Sequence, residues 1–191
     1  MTKSDLRDSY LPKQRALSPV ERSTQSQQIA DRFFDTLDLV RSRYLHCFIA
    51  TDKFNEVDTT LIFQRLWKEQ PDLVTLVPRV NFESAEMENL KFTPDTDLVQ
   101  NVWGIHEPSH DECVETAQID IVLVPLLCFD ERGHRVGYGK GFYDKFLSTC
   151  RKDCVKAGLS YFPPVEKIDD AADHDVRLDL CITPDRVYRL A

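Results

Sequence analysis

Glycine is scarce in this chain, with six residues in 191. Four of the six, Gly133, Gly137, Gly139 and Gly141, fall within nine consecutive positions, so backbone freedom is concentrated in one loop. The six cysteines, at 47, 113, 128, 150, 154 and 181, include no Cys-x-x-Cys pair, and Cys150 and Cys154 have no histidines at zinc-finger spacing. That argues against a structural zinc site or a disulfide framework and for reduced, mostly buried thiols. No apolar run reaches the roughly 20 residues needed to span a bilayer. The N-terminal segment MTKSDLRDSYLPKQR is charged and lacks the apolar stretch of a secretory signal, so a cytoplasmic protein is expected. Internal repeats and low-complexity tracts are absent as well.

Positive charge is in deficit, with 24 Lys plus Arg against 32 Asp plus Glu for a net −8. Nonspecific attraction to nucleic acid or to an anionic membrane is thereby disfavoured. Two segments reverse the sign. Residues 1–22 hold five basic and three acidic side chains, and residues 131–145 hold four and two, so each segment carries +2. Local basic patches in an acidic chain point to a small anionic ligand, although a solvated helix face accounts for the first equally well. Apolar residues are plentiful at 42%, enough for the core of one domain at this length.

Thr2 with Asp5 makes a weak capping box for a first helix, which Pro12 is expected to kink or interrupt. Lys3 and Arg7, four apart, then project from one helical face. Ser18-Pro19-Val20-Glu21 is a stronger start signal and predicts a second helix to about Leu37. A third helix is expected after Asp58 or Thr59 through Leu66 and Trp67, a short helical turn over 97–103, and another helix over 142–152. Strands are predicted at 44–49, at 73–77 closed by Pro78, at 89–93, at 119–125, at 155–161, and at 178–183 halted by Pro184. The run 119–125 is the most apolar and is placed at the sheet centre. The alternation implies an α/β fold with a largely parallel sheet covered on both faces. Ligands of such sheets sit at the carboxyl ends of the strands.

The segment that carries chemistry runs from Phe129 to Asp144 and reads FDERGHRVGYGKGFYD. Glycines at every second position from 137 to 141 let consecutive N–H groups converge on an anion, and the following helix N-terminus adds partial positive charge. Arg135 and Lys140 supply cations for phosphate oxygens, and Asp144 in the first helical turn is placed to hold a magnesium ion against them. The pattern is neither a Walker loop nor a dinucleotide Gly-x-Gly-x-x-Gly. General physics leaves two readings, an anion cradle or a glycine-rich structural turn, and Asp144 alone reads as a helix-dipole partner.

Arg135-Val-Gly-Tyr-Gly-Lys-Gly-Phe-Tyr-Asp144 resembles the signature of the 5-formyltetrahydrofolate cyclo-ligase family, also called 5,10-methenyltetrahydrofolate synthetases. Lys3-x-x-x-Arg7 resembles that family's N-terminal nucleotide-binding pair, and Asn55-Glu56-Val57-Asp58-Thr59 its Gly-Glu-(Ile/Leu/Val)-(Asp/Glu)-Thr segment. Trp103-Gly-Ile-His-Glu-Pro108, His174-Asp175-Val-Arg-Leu-Asp179 and Ile182-Thr-Pro184 follow in family order, so the resemblance covers residues 3–184.

The resemblance implies a single three-layer α/β/α domain over 1–191, with N-terminal helices 1–40 packing on the α/β core. It implies ATP- and Mg2+-dependent conversion of 5-formyltetrahydrofolate to 5,10-methenyltetrahydrofolate, releasing ADP and phosphate. The formyl oxygen would be phosphorylated and N10 would close the ring. Lys3 and Arg7 are then expected on ATP, together with Arg135, Val136, Gly137, Tyr138, Gly139, Lys140, Gly141, Phe142 and Tyr143. Arg135 and Lys140 carry the catalytic role. Glu56 and Trp103 are expected on the folate, with Tyr138 to Phe142 touching it too, and Asp144 and Asp175 on magnesium. The implied partners are a reduced folate and ATP, with no nucleic acid and no membrane, and a monomer is expected. Two features depart from the family pattern: Asn55 stands where glycine is common, and the preceding loop with Lys53 and Phe54 is longer. Neither His134 nor His174 is given a proton-transfer role. The competing readings are another phosphate-handling α/β enzyme, of sugar-phosphate isomerase or acyl transferase type, and a noncatalytic folate or nucleotide sensor.

Overall fold

The computed structural model describes residues 1–190 other than Phe82, Ala85, Val102, Trp103 and Asp173. Both capping boxes form. Helix α1 (Lys3–Arg15) opens with the Thr2 hydroxyl accepting from Asp5 N–H and the Asp5 carboxylate accepting from Thr2 N–H, and α2 (Pro19–Thr36) repeats the arrangement with Ser18 and Glu21. Pro12 does not end α1, contrary to the sequence expectation. Its missing N–H removes a bond only to Asp8, an exposed residue, while Leu6 and Gln14 on either side are buried and hold the helix down.

Beyond α2 the chain makes β1 (Tyr44–Cys47), α3 (Thr60–Glu69), β2 (Val74–Asn81), β3 (Glu86–Lys91), β4 (Leu98–Gln100) and β5 (His106–Pro108). It continues with β6 (Ile121–Pro125), β7 (Cys128–Phe129), β8 (Arg135–Val136), α4 (Phe142–Thr149), β9 (Val155–Leu159), β10 (Leu180–Ile182) and β11 (Val187–Arg189). Seven strands form one sheet in the order β11-β10-β9-β6-β1-β2-β3. The five inner strands are parallel, and the edge strands β11 and β3 are antiparallel to their neighbours.

The apolar run expected at the centre is there, as β6 between β1 and β9. Its side chains alternate: Ile121 and Leu123 join Ile29, Phe33, Ile62 and Leu66 of α2 and α3 on one face. Val122 and Val124 join Phe146 and Leu147 of α4 on the other. Each such side chain contributes about 1.5–3 kcal/mol by leaving water, so a strand apolar on both faces is anchored from both sides. A smaller cluster of Leu6, Cys128, Val136 and Ile168 pins α1 onto the β7–β8 hairpin. Cys47, Cys128, Cys154 and Cys181 are buried and all six thiols are free.

Three local expectations are corrected. Residues 97–101 form no helical turn, and the rest of that expected segment, 102–103, lies outside the described residues. Leu98–Gln100 is strand β4, paired with β5 in a two-stranded ribbon, and the chain reverses where Asn101 N–H reaches Ile105 O at 2.9 Å and Gly104 takes φ +79. Pro78 does not close its strand: β2 runs on to Asn81 paired with β3. Pro78 is three residues from Thr75, whose carbonyl accepts from Phe92 N–H, so it falls at a non-bonded position of the β3 ladder. Its missing donor faces the side where β1, paired only as far as Leu76, has ended. The glycine segment follows the β7–β8 hairpin, which turns at Gly133 with φ +86. Last, Pro184 does not end the sheet, since Thr183 and Arg186 form a turn that returns the chain as β11. No helix among the described residues is long and apolar enough to cross a membrane.

Candidate functional site

A cavity of about 540 Å³ opens where β1 and β6 end, walled there by Phe48, Ile49, Pro125 and Leu127. This is the carboxyl edge of the parallel sheet, where strand ends leave room for ligands. Its two ends differ in chemistry.

One end is ionic. Arg135, fixed on β8 and 6% exposed at its side chain, donates to Asp144 Oδ1 at 2.8 Å and to the Val176 carbonyl. Asp144 Oδ1 also accepts from Val176 N–H at 3.2 Å. Burial pulls the Arg135 guanidinium below its ordinary value, opposed by Asp144 and Asp175. Lys3 Nζ meets Asp175 Oδ2 at 2.5 Å, and the Ala172 N–H donates to the same oxygen at 2.7 Å. Burial acts to raise Asp175, but these two bonds prevail and hold it below the usual carboxylate range. Arg7 donates from Nε to Gly137 O at 2.9 Å and lies against the next glycine. A Cβ on Gly139 would stand 3.2 Å from Arg7 Nε, at φ +86, so both the turn and the approach of Arg7 demand glycine there. Gly141, at φ +73, begins α4 without any side-chain cap, and a helix N-terminus favours a nearby anion. Lys140 is exposed and makes no ion pair among the described residues.

The other end is aromatic. The rings of Phe54 and Tyr138 stack with centroids 4.4 Å apart. Glu56 is 6% exposed, and its Oε2 accepts from Thr51 N–H at 2.8 Å and from the Thr51 hydroxyl at 3.0 Å. Burial raises its carboxyl above the ordinary value, against the bonds from Thr51 and Tyr138 and the charge of Arg22. The hairpin of β2 and β3 covers this side with Pro78, Val80 and Met87. Tyr143 also lines the cavity, and its buried hydroxyl has no hydrogen-bond partner among the described residues.

Lys3, Arg7, Glu56, Arg135, residues 137–144 and Asp175, widely spaced in sequence, thus line one cavity. Val136 does not: it is wholly buried against Leu6, Cys128 and Ile168, so only its neighbours face the opening. Trp103 lies outside the described residues, although Gly104 beside it is on the cavity wall. His174 lines the same cavity, whereas His134 is held by Asp130 at 3.2 Å and lines a separate polar cavity with Arg132 and Arg177. Sequence reasoning missed Gln14, which is 2% exposed and bonds both Phe54 O and the Tyr138 hydroxyl. Its spacing of eleven from Lys3 puts it on the Lys3–Arg7 face of α1, a signal that was legible. Thr51, Pro78 and Met87 had no such signal, because only folding brings them to the site.

An α/β sheet with a glycine-lined, cation-rich cleft at its carboxyl edge defines an enzyme class that handles small anionic substrates. The sequence model of the 5-formyltetrahydrofolate cyclo-ligase family matches residues 1–184. The chain belongs to that family of ligases of folate one-carbon metabolism. It is 30% identical over 182 residues to the 5-formyltetrahydrofolate cyclo-ligase of Escherichia coli K12, covering 92% of this chain and 97% of that protein. It is 29% identical over 155 residues to the mouse enzyme of the same name, 78% of this chain and 74% of that one. Among solved structures, the 5,10-methenyltetrahydrofolate synthetase of Aquifex aeolicus superposes with TM-score 0.83 at 30% identity, over 100% of this chain and 93% of that one. The Mycoplasma pneumoniae synthetase superposes with TM-score 0.75 at 27% identity, over 96% and 99%.

Proposed function

We propose that this protein converts 5-formyltetrahydrofolate to 5,10-methenyltetrahydrofolate with ATP as cosubstrate, releasing ADP and phosphate. One observation carries the reading: a single cavity joins an ionic end, built from Lys3, Arg7 and the 135–144 loop, to an aromatic end with one buried carboxylate. That is a cleft for two different substrates meeting in the middle.

The chemistry follows from the leaving group. The formyl oxygen of an amide does not depart until it is esterified, so it attacks the γ-phosphorus while the bond to the β-phosphate oxygen breaks and ADP leaves. N10 then bonds to the formyl carbon, its proton passes to solvent, and the oxygen departs as phosphate. Little covalent work falls to the protein in such a transfer; position and charge do most of it. Arg135 and Lys140 neutralise the transferring phosphoryl group, Lys3 and Arg7 hold the remaining phosphates, and the loop N–H groups wrap them. Glu56 accepts hydrogen bonds from the amino and ring N–H groups of the pterin, between Tyr138 and the apolar hairpin.

Magnesium suits this donor set. No group of three or more His, Cys, Asp or Glu stands ready to cage a metal among the described residues. Mg2+ seldom uses such a cage: it takes one or two carboxylates and completes its shell with phosphate oxygens and water. Asp144 and Asp175, both on the cavity wall, are the two carboxylates that would hold it, where it would offset phosphate charge.

The test is direct. Purified protein with 5-formyltetrahydrofolate, ATP and Mg2+ should generate the methenyl chromophore, and omission of ATP should abolish it. Absence of the absorbance rise at every ATP and Mg2+ concentration would overturn the reading, and tight binding of a sugar phosphate without ATP would favour another phosphate-handling enzyme.

A further inference from the structure

Past the end of β1 the edge of β2 lies open beside the cavity. The two strands pair only from Tyr44 with Val74 to His46 with Leu76, while β2 runs on to Asn81. Thr75 and its alternate residues turn their backbone toward β3, as the bond from Phe92 N–H to Thr75 O shows. Leu76, Pro78 and Val80 therefore turn theirs the other way. Pro78 has no N–H to leave unpaired there. Val80 has one, and it needs an acceptor that β1 does not supply.

That acceptor is Glu107 of β5, whose Oε1 takes the Val80 N–H at 3.2 Å. Glu107 is 8% exposed and lines the cavity. Strands β4 and β5 form a ribbon of their own, outside the seven-stranded sheet. The bond thus joins two walls that the sheet does not join: Gly104 and Ile105 on the ribbon, and Pro78, Val80 and Met87 on the β2–β3 hairpin. Met87 stands opposite Val80 in register, so anchoring one steadies the other. The chain after β5 is tied to the hairpin a second time by Arg79, which donates to His110 O and Asp111 Oδ1. Loss of the Glu107 bond therefore loosens the cavity wall without detaching the ribbon.

We infer that Glu107 is a positioning residue: by accepting the Val80 N–H at the open edge of β2, it holds the ribbon and hairpin walls at the spacing that receives the folate. The identity of the ligand rests on the proposed function, but the clamp itself does not. The position requires an acceptor oxygen and not a charge, because its partner is a neutral backbone amide. A glutamine side chain supplies the same oxygen. The ionic end is built from α1 and the 135–144 loop, so the clamp bears on one substrate and not on the other.

The experiment compares Glu107→Leu and Glu107→Gln with the parent protein. Glu107→Leu should raise the KM for 5-formyltetrahydrofolate about tenfold, the scale of one lost buried hydrogen bond, while kcat and the KM for ATP stay within about twofold. Hydrogen exchange at the Val80 amide should quicken on the order of tenfold in the same variant. Glu107→Gln should keep both the folate KM and the Val80 exchange close to the parent values. A glutamine variant that loses folate affinity with the Val80 amide still protected would overturn the inference, because charge rather than position would then be at work. So would a leucine variant with an unchanged folate KM, or one in which both KM values rise together. Where the leucine variant does not fold, the glutamine variant decides alone. A parent protein that makes no methenyl product would instead sink the proposed function, and Val80 exchange in the variants would still decide whether Glu107 holds the wall.

Discussion

The two ends of the cavity manage charge in opposite ways. At the ionic end two cations already have carboxylate partners: Arg135 with Asp144 and Lys3 with Asp175. A triphosphate bound there, as proposed, would exchange one set of ion pairs for another without stranding Arg135, Lys3 or their carboxylates. At the aromatic end Glu56 is buried on neutral donors, with the Arg22 guanidinium directed to its backbone carbonyl and to Asp52 rather than to its carboxylate. That carboxylate is held charged at a cost, which a ligand carrying N–H donors lowers. The contrast teaches that a site for two substrates need not be organised alike: one half is balanced before binding and the other is completed by it.

The strongest challenge to this contrast is Asp144→Asn, which keeps the shape and removes the charge. Turnover should fall roughly 10²-fold, the scale of losing one preorganised charge at a transferring group, while thermal unfolding shifts by only a few degrees. A fall in stability as severe as the fall in turnover would reduce Asp144 to a structural partner of Arg135 and Val176.

Glu56→Gln probes the other end and should raise the folate KM by about tenfold with the ATP KM unchanged. Its stability signature has a defined sign. Because burial raises the Glu56 carboxyl in the folded protein, folding favours its protonated form, and stability is lost as pH rises through that raised value. The neutral amide escapes this loss, so Glu56→Gln should be at least as stable as the parent protein at pH 7 in urea unfolding. Lower stability at pH 7 would mean that the carboxylate is not held at a cost.

The smallest effect on activity is expected at His46, which is buried on β1 between Phe146 and Tyr143 and does not itself line the cavity. Burial pushes it down to about 4 from 6.5, with the bond to Asn89 opposing. The folded state therefore favours the neutral ring, and the stability it protects is complete above pH 6.5 and lost as pH falls toward 4. Between pH 7 and pH 5 that amounts to about 2 kcal/mol. His46→Gln should flatten this acid loss in urea titrations while leaving the folate and ATP KM values unchanged. Acid sensitivity of binding and of folding would then be traced to two different residues.

The ionic end was the more legible in sequence. The glycine spacing, Arg135, Lys140 and Asp144 are contiguous, and Lys3 and Arg7 share a helical face, so local rules reach them. Resemblance extended that to Glu56 and Asp175, and the structure brings both to the same cavity. The aromatic end was less legible because its members come from α1, from the loop before α3 and from the β2–β3 hairpin. Val136 shows the limit of motif reading: it sits inside the signature but faces the core, because alternate residues of the hairpin point to opposite sides. The missed β11 and the misread 97–103 segment share a cause. Three-residue strands have too short a period to identify themselves, and pairing with a neighbour is what makes them strands.

The amino-acid sequence by itself determined where the helices begin, which strand lies at the centre of the sheet, and which loop can surround an anion. Those properties depend on residues a few positions apart, through caps, alternation and glycine dihedrals. Only the tertiary structure decided that Gln14 stands behind Tyr138, that Glu56 is buried on neutral donors, and that Arg135 and Lys3 already have their carboxylates. Those pairings join residues up to 172 positions apart, and their energy depends on burial, which no local stretch of sequence contains. The six glycines of the chain illustrate the division: their clustering marked the loop, but the requirement at Gly139 became specific only when Arg7, from the far end of the chain, was found against it.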